Sequence, residues 1–178
     1  SIGKRSIRIC FVDRIDGRDT LPASAGHLQG LTRHGDKNSI ILISPSSTST
    51  WGRVLAHEMG HVFVREAYGE IVNRTLNEGL AEFVAADIFP GEVRRDIRNA
   101  ESSKNLSLFA SYVMGYRFIS DHASNQYLPK YLETHLKIPA SNFWDMEKSW
   151  KECRDAMLTP PESVAGEAWK KSVDLKFE

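Results

Sequence analysis

The stretch that most constrains this chain is residues 51 to 68, WGRVLAHEMGHVFVREAY, and within it His57-Glu58-Met59-Gly60-His61. Leu55, Met59, Val62 and Phe63 fall on one apolar arc with Val54 beside the histidines, so the segment reads as a helix buried over most of its surface. On a helix, residues four apart lie about 40° apart around the axis and about 6 Å along it, so both imidazoles point to one side and can hold one metal ion. Gly60 costs about 1 kcal/mol relative to alanine in a helix, which predicts a close neighbour there.

Two histidines do not complete such a site, because a catalytic zinc takes three protein ligands and keeps one position for water. H-E-x-x-H on a helix is the arrangement of zinc hydrolases, with the glutamate, here Glu58, as the base. A third ligand is offered by Glu78 in Asn77-Glu78-Gly79-Leu80-Ala81-Glu82, where the spacing of Leu80, Phe83 and Val84 predicts a second helix. A histidine six residues after His61 would be the other choice, but that position is Ala67, which argues against a metzincin. Thr75-x-x-Glu78 also has the form of a capping box, a competing use for the same carboxylate. Glu82, four residues on, shares the face of Glu78, either as a solvated carboxylate or as a partner of a ligating histidine.

HEMGH followed by NEGLAEF resembles the gluzincin zinc peptidases, and LNEGLAEFV is closest to the peptidase-MA-like proteins among them. The resemblance is specific over residues 51 to 88. It implies a compact zincin-like domain that hydrolyses peptide bonds, with Zn²⁺ held by His57, His61 and Glu78, Glu58 as general base and Glu82 buttressing a zinc histidine. Amide hydrolysis builds negative charge on the carbonyl oxygen, so a donor from a later helix is expected. Ser111 to Phe118, SYVMGYRF, resembles the family's pattern for that donor, making Tyr112 the first candidate and Tyr116 the second, with Arg117 and His122 behind them. A peptide or protein substrate would add antiparallel to an edge strand, either Ser39 to Ser44 or its hairpin partner. Three alternatives stay open: a silent or latent zinc-bound domain that recognises a protein partner, a protease dedicated to one protein, and a purely structural zinc.

The 178 residues suit one domain, too small for the larger gluzincins. Lys plus Arg and Asp plus Glu are both 23, so no net field favours nucleic acid or an anionic membrane. No stretch approaches the roughly 20 apolar residues of a membrane span, and the start, SIGKRSIRICF, lacks the apolar run of a secretory signal. A monomer is expected. Compartment stays open, with the exported members of the resembled family leaning toward a secreted or periplasmic setting. Cys10 and Cys153 lack metal spacing and read as free, buried thiols, with a single bridge between them as the alternative.

Along the chain, strands are expected over Ser6 to Val12, Leu28 to Thr32 and Ser39 to Ser44, the last two joined by a turn at Gly35 to Asn38. The unalternating run Ile40 to Ile43 suits a strand covered on both faces. Ser49 or Thr50 is a candidate N-cap for the metal helix. Helices follow over Glu92 to Ala100, Leu106 to His122, Gln126 to Leu136 and Phe143 to Met157. Pro160-Pro161 then precedes a short helix, Glu162 to Lys171, and an extended end. A small sheet first and helices afterwards is α+β. His27, His34 and His135 are read as solvated, and Trp144, Trp150 and Trp169 as packing.

Overall fold

The computed structural model describes residues 6–13, 15, 30–35, 38–44, 51–102, 106–139 and 143–158. The expected cap at Ser49 or Thr50, His27, Trp169 and the terminal helix lie outside them. The architecture is α+β: a three-stranded sheet followed by six helices among the described residues. The strands are β1 (Ser6–Phe11), β2 (Gly30–His34) and β3 (Asn38–Ile43). The helices are α1 (Trp51–Tyr68), α2 (Arg74–Ile88), α3 (Pro90–Ser102), α4 (Leu106–His122), α5 (Leu128–His135) and α6 (Phe143–Leu158).

The sheet order is β1-β3-β2, with β1 parallel and β2 antiparallel to β3. The β2–β3 hairpin closes with Gly35 N–H donating to the Asn38 carbonyl at 2.8 Å. Residues 39 to 44 therefore do not form an edge, because both sides of β3 are hydrogen-bonded. The hairpin partner β2 is the edge strand nearest the helices among the described residues. Ile41 and Ile43 are fully buried against Val54 and Val62 of α1, whereas Ile40 and Leu42 on the opposite face are only half-buried. The apolar run in β3 thus serves one covered face and one partly covered face.

Helix α1 lies across β2 and β3. Its buried residues are Val54, Ala56, His57, Glu58, Gly60, Val62 and Val64, with Leu55 and Met59 packed at the margin of the sheet cluster. Phe63 departs from the expected arc and is 51% exposed, since the arc that meets the sheet is centred on Val54 and Val62. Helix α2 passes between α1 and α4 through two close backbone approaches. A Cβ on Gly60 would lie 2.7 Å from the Ala81 Cα, the neighbour its glycine predicts. A Cβ on Gly79 would overlap the backbone of Gly115 in α4. Small residues at both seams bring α2 within side-chain reach of the α1 histidines.

The helical half closes a second core around Leu76, Phe118, Ile119, Tyr131, Leu132, Met146 and Trp150. His122 and His135 belong to its aromatic packing. His122 lies 4.8 Å from Trp150 and within 3.4 Å of Glu147, and His135 stacks on Tyr131 at 3.9 Å. His34 meets the Ser39 hydroxyl at 3.1 Å. His34 and His135 are thus half-buried and bonded rather than solvated. Cys10 and Cys153 are free thiols, both half-buried. No described helix is long and apolar enough to cross a membrane.

Candidate metal centre

The α1 spacing turns His57 and His61 to the same side, and the α1–α2 crossing brings Glu78 to meet them. His57 Nε2 and His61 Nε2 are 3.2 Å apart, and Glu78 Oε2 is 3.3 Å from the first and 3.5 Å from the second. Three ligand-type atoms from two helices thus converge on one point and could hold a metal ion. His57 and Glu78 are buried and His61 is half-buried. Buried polar atoms are normally satisfied. Here Glu78 Oε2 and His61 Nδ1 have no aligned hydrogen-bond partner among the described residues. The Glu78 contacts to the histidines are close enough for charge attraction without being aligned as hydrogen bonds.

Glu78 can take this position because it is free of capping duty. The N-cap of α2 is Asn73, not Thr75, and its Oδ1 accepts from Leu76 N–H at 3.1 Å. Asn73 is itself tied to the end of α5: its Nδ2 donates to the His135 carbonyl and its N–H to that of Leu136. Arg74 approaches the other Glu78 oxygen at 3.9 Å from an exposed position.

Glu82 lies behind His57, with Oε1 3.4 Å from His57 Nδ1. Arg53, one turn before His57 on α1, grips both Glu82 oxygens at 2.7 and 2.9 Å and reaches Asp96 of α3 through Nε at 3.2 Å. Burial alone would disfavour a charged His57, but the facing carboxylates of Glu78 and Glu82 outweigh it and raise the imidazole to about 10. Burial pushes Glu78 and Glu82 the other way, toward the neutral acid. His57 and His61 nonetheless hold Glu78 well below the usual carboxylate range, and His57 with Arg53 lowers Glu82.

Glu58 is 6% exposed and lies between α1 and the edge strand. Its Oε2 accepts from the Thr32 hydroxyl at 2.6 Å, and its main-chain carbonyl accepts from the same hydroxyl at 3.1 Å. Gly30 leaves the space that its carboxylate fills, since a Cβ there would come within 2.5 Å of Glu58 Oε1.

The expected oxyanion donors all fall on α4. Tyr112 belongs to α4, but its side chain lies outside the described residues. Tyr116 is half-buried against the cluster of Ala56, Ala85 and Val93, and no hydrogen bond joins it to the ligand set among the described residues. Arg117 is exposed on α4, and His122 is taken up by the aromatic core. Sequence reasoning missed Arg53 and Thr32. The Arg53-His57-His61 spacing at four-residue steps was a usable signal for the first, whereas nothing local ties Thr32 to Glu58.

Compared with known proteins, the chain matches no family model, no curated protein and no solved structure.

Proposed function

We propose that the chain is a zinc-dependent peptidase of the gluzincin type, with His57, His61 and Glu78 as the metal ligands and Glu58 as the general base. One observation carries this reading: the triangle of Nε2, Nε2 and Oε2 atoms, with edges of 3.2, 3.3 and 3.5 Å, beside a buried glutamate in H-E-x-x-H. Ligand bonds of 2.0–2.1 Å around a tetrahedral zinc require ligand-to-ligand distances of about 3.4 Å, so the three side chains need almost no movement to bind it. A nitrogen, nitrogen and carboxylate set also suits zinc better than calcium or magnesium, which prefer oxygen alone.

Bound zinc would supply Lewis acidity, bringing the pKa of its water toward about 7 and polarising a substrate carbonyl. Glu58 would take the proton released as water attacks the scissile carbon and pass it to the leaving nitrogen. Thr32 would hold that carboxylate in line while it is charged. A peptide laid along β2 would meet the strand that carries this hydroxyl, with backbone hydrogen bonds supplying affinity independent of side-chain sequence. Tyr112 or Tyr116 would donate to the developing oxyanion.

The test is cleavage of a proteome-derived peptide library by the zinc-loaded wild type and Glu58→Gln. Glu58→Gln should keep one zinc per chain and lose roughly 10²–10⁴-fold in rate, the range for removal of a general base. Equal cleavage by the two proteins would remove Glu58 from the mechanism.

A further inference from the structure

Behind the three ligands runs a line of charged side chains from separate helices. Asp96 Oδ2 of α3 is 3.2 Å from Arg53 Nε of α1. The Arg53 Nη2 donates to both oxygens of Glu82 of α2 at 2.7 and 2.9 Å, and Glu82 Oε1 is 3.4 Å from His57 Nδ1. Exposure falls inward along it: the Asp96 side chain is 41% exposed, Arg53 16% and Glu82 4%. We infer that Arg53 is a positioning residue for the metal centre: by holding both oxygens of Glu82 it fixes the His57 ring so that Nε2 faces His61 and Glu78, with Asp96 beside Nε on the stem side of the same guanidinium.

The physical reason is geometric. A carboxylate held at one oxygen can swing about its terminal torsion, which is broad and roughly two-fold. Contact with both oxygens removes that freedom. Glu82 then holds one fixed carboxylate oxygen 3.4 Å from His57 Nδ1, outside aligned hydrogen-bond geometry but close enough to attract the ring N–H, and so biases which way the opposite ring nitrogen faces. Arg53 faces its two partners with different nitrogens, Nη2 toward Glu82 and Nε toward Asp96, whereas the single ammonium of lysine would keep the charge without spanning both. This inference rests on the metal-binding reading of His57, His61 and Glu78.

The test is titration of the full chain, stripped by a chelator, with zinc alone for the dissociation constant and with cobalt alone for the visible spectrum of the bound ion. Wild type, Arg53→Met, Arg53→Lys and Asp96→Asn are compared. Loss of partners outside the ligand set lowers metal affinity by roughly 10–100-fold. Arg53→Met should fall in that range with a shifted cobalt spectrum, Arg53→Lys should recover little, and Asp96→Asn should lose about two- to threefold. If Arg53→Met does not fold, the order Arg53→Lys weaker than Asp96→Asn weaker than wild type carries the same result. Wild-type affinity and an unchanged spectrum in Arg53→Lys and Arg53→Met would overturn the inference and leave the metal centre standing. Failure of the wild type itself to take up either ion would overturn the metal-binding reading, and the inference with it.

Discussion

The seam between α1 and α2 and the core between α4, α5 and α6 are built on opposite terms. In the second, Phe118, Tyr131 and Trp150 meet with ring centroids 5.3 to 6.2 Å apart, and the Tyr131 hydroxyl is accommodated. The Tyr131 hydroxyl reaches the Met146 carbonyl at 3.2 Å and the Ser149 hydroxyl at 2.8 Å, and burial pushes its ionisation up to about 12. In the first, His57, Glu78 and Glu82 are buried and Arg53 is half-buried. Apolar burial contributes stability directly, whereas buried charges recover their desolvation cost only with good partners. One region is held by apolar burial and the other by paired charges, and on the proposed reading of the second as a metal centre each should be alterable without the other.

Phe118→Ala should have the largest effect, about 3–5 kcal/mol of unfolding free energy by denaturant titration, because it removes a fully buried ring at the centre of the aromatic core. The folded fraction should still bind metal with wild-type affinity. Coupled loss of affinity would mean the two regions are not separable.

Glu78→Ala should invert that pattern, with metal affinity reduced by more than the roughly 10–100-fold expected for an outer partner, and less stability lost from the stripped protein than in Phe118→Ala. Its pH dependence sharpens the contrast. In the stripped protein, His57 is raised from 6.5 to about 10, so its contribution is fully present below 6.5 and is lost as pH rises through about 10. Glu78 and Glu82 are lowered from 4.5, so theirs is present above 4.5 and is lost as pH falls toward their depressed values. The stability of the stripped wild type against denaturant should therefore decline on both sides of about 4.5 to 6.5, and both declines should be shallower in Glu78→Ala.

Gly60→Ala should have the smallest effect on stability, about 1–3 kcal/mol from pressing a methyl against the Ala81 backbone. Because that contact sets how far Glu78 stands from the histidines, metal affinity should fall with it. A stability loss with unchanged affinity would show that α2 can shift without moving Glu78.

How far the sequence reveals this follows from the range of each interaction. Helix α1 is legible to its ends, residues 51 to 68, because its period is local and strong. The hairpin turn after β2 is legible from Gly35 to Asn38 for the same reason. The position of β3 in the middle of the sheet is not, since strand order is decided by pairings between distant segments. The start of α2 at Asn73 rather than Thr75 depends on bonds to residues 135 and 136, far along the chain. At the centre itself, His57, Glu58 and His61 follow from spacing within one helix, and Glu78 from the need for a third ligand. The Arg53 contact with Glu82 and the Thr32 contact with Glu58 exist only because three elements cross.

Zinc content per purified chain, measured for the wild type and Glu78→Ala under the same conditions, tests the central claim most directly. One zinc in the wild type and its loss in Glu78→Ala is the predicted result. A wild type that holds no zinc and takes none up on titration would contradict it.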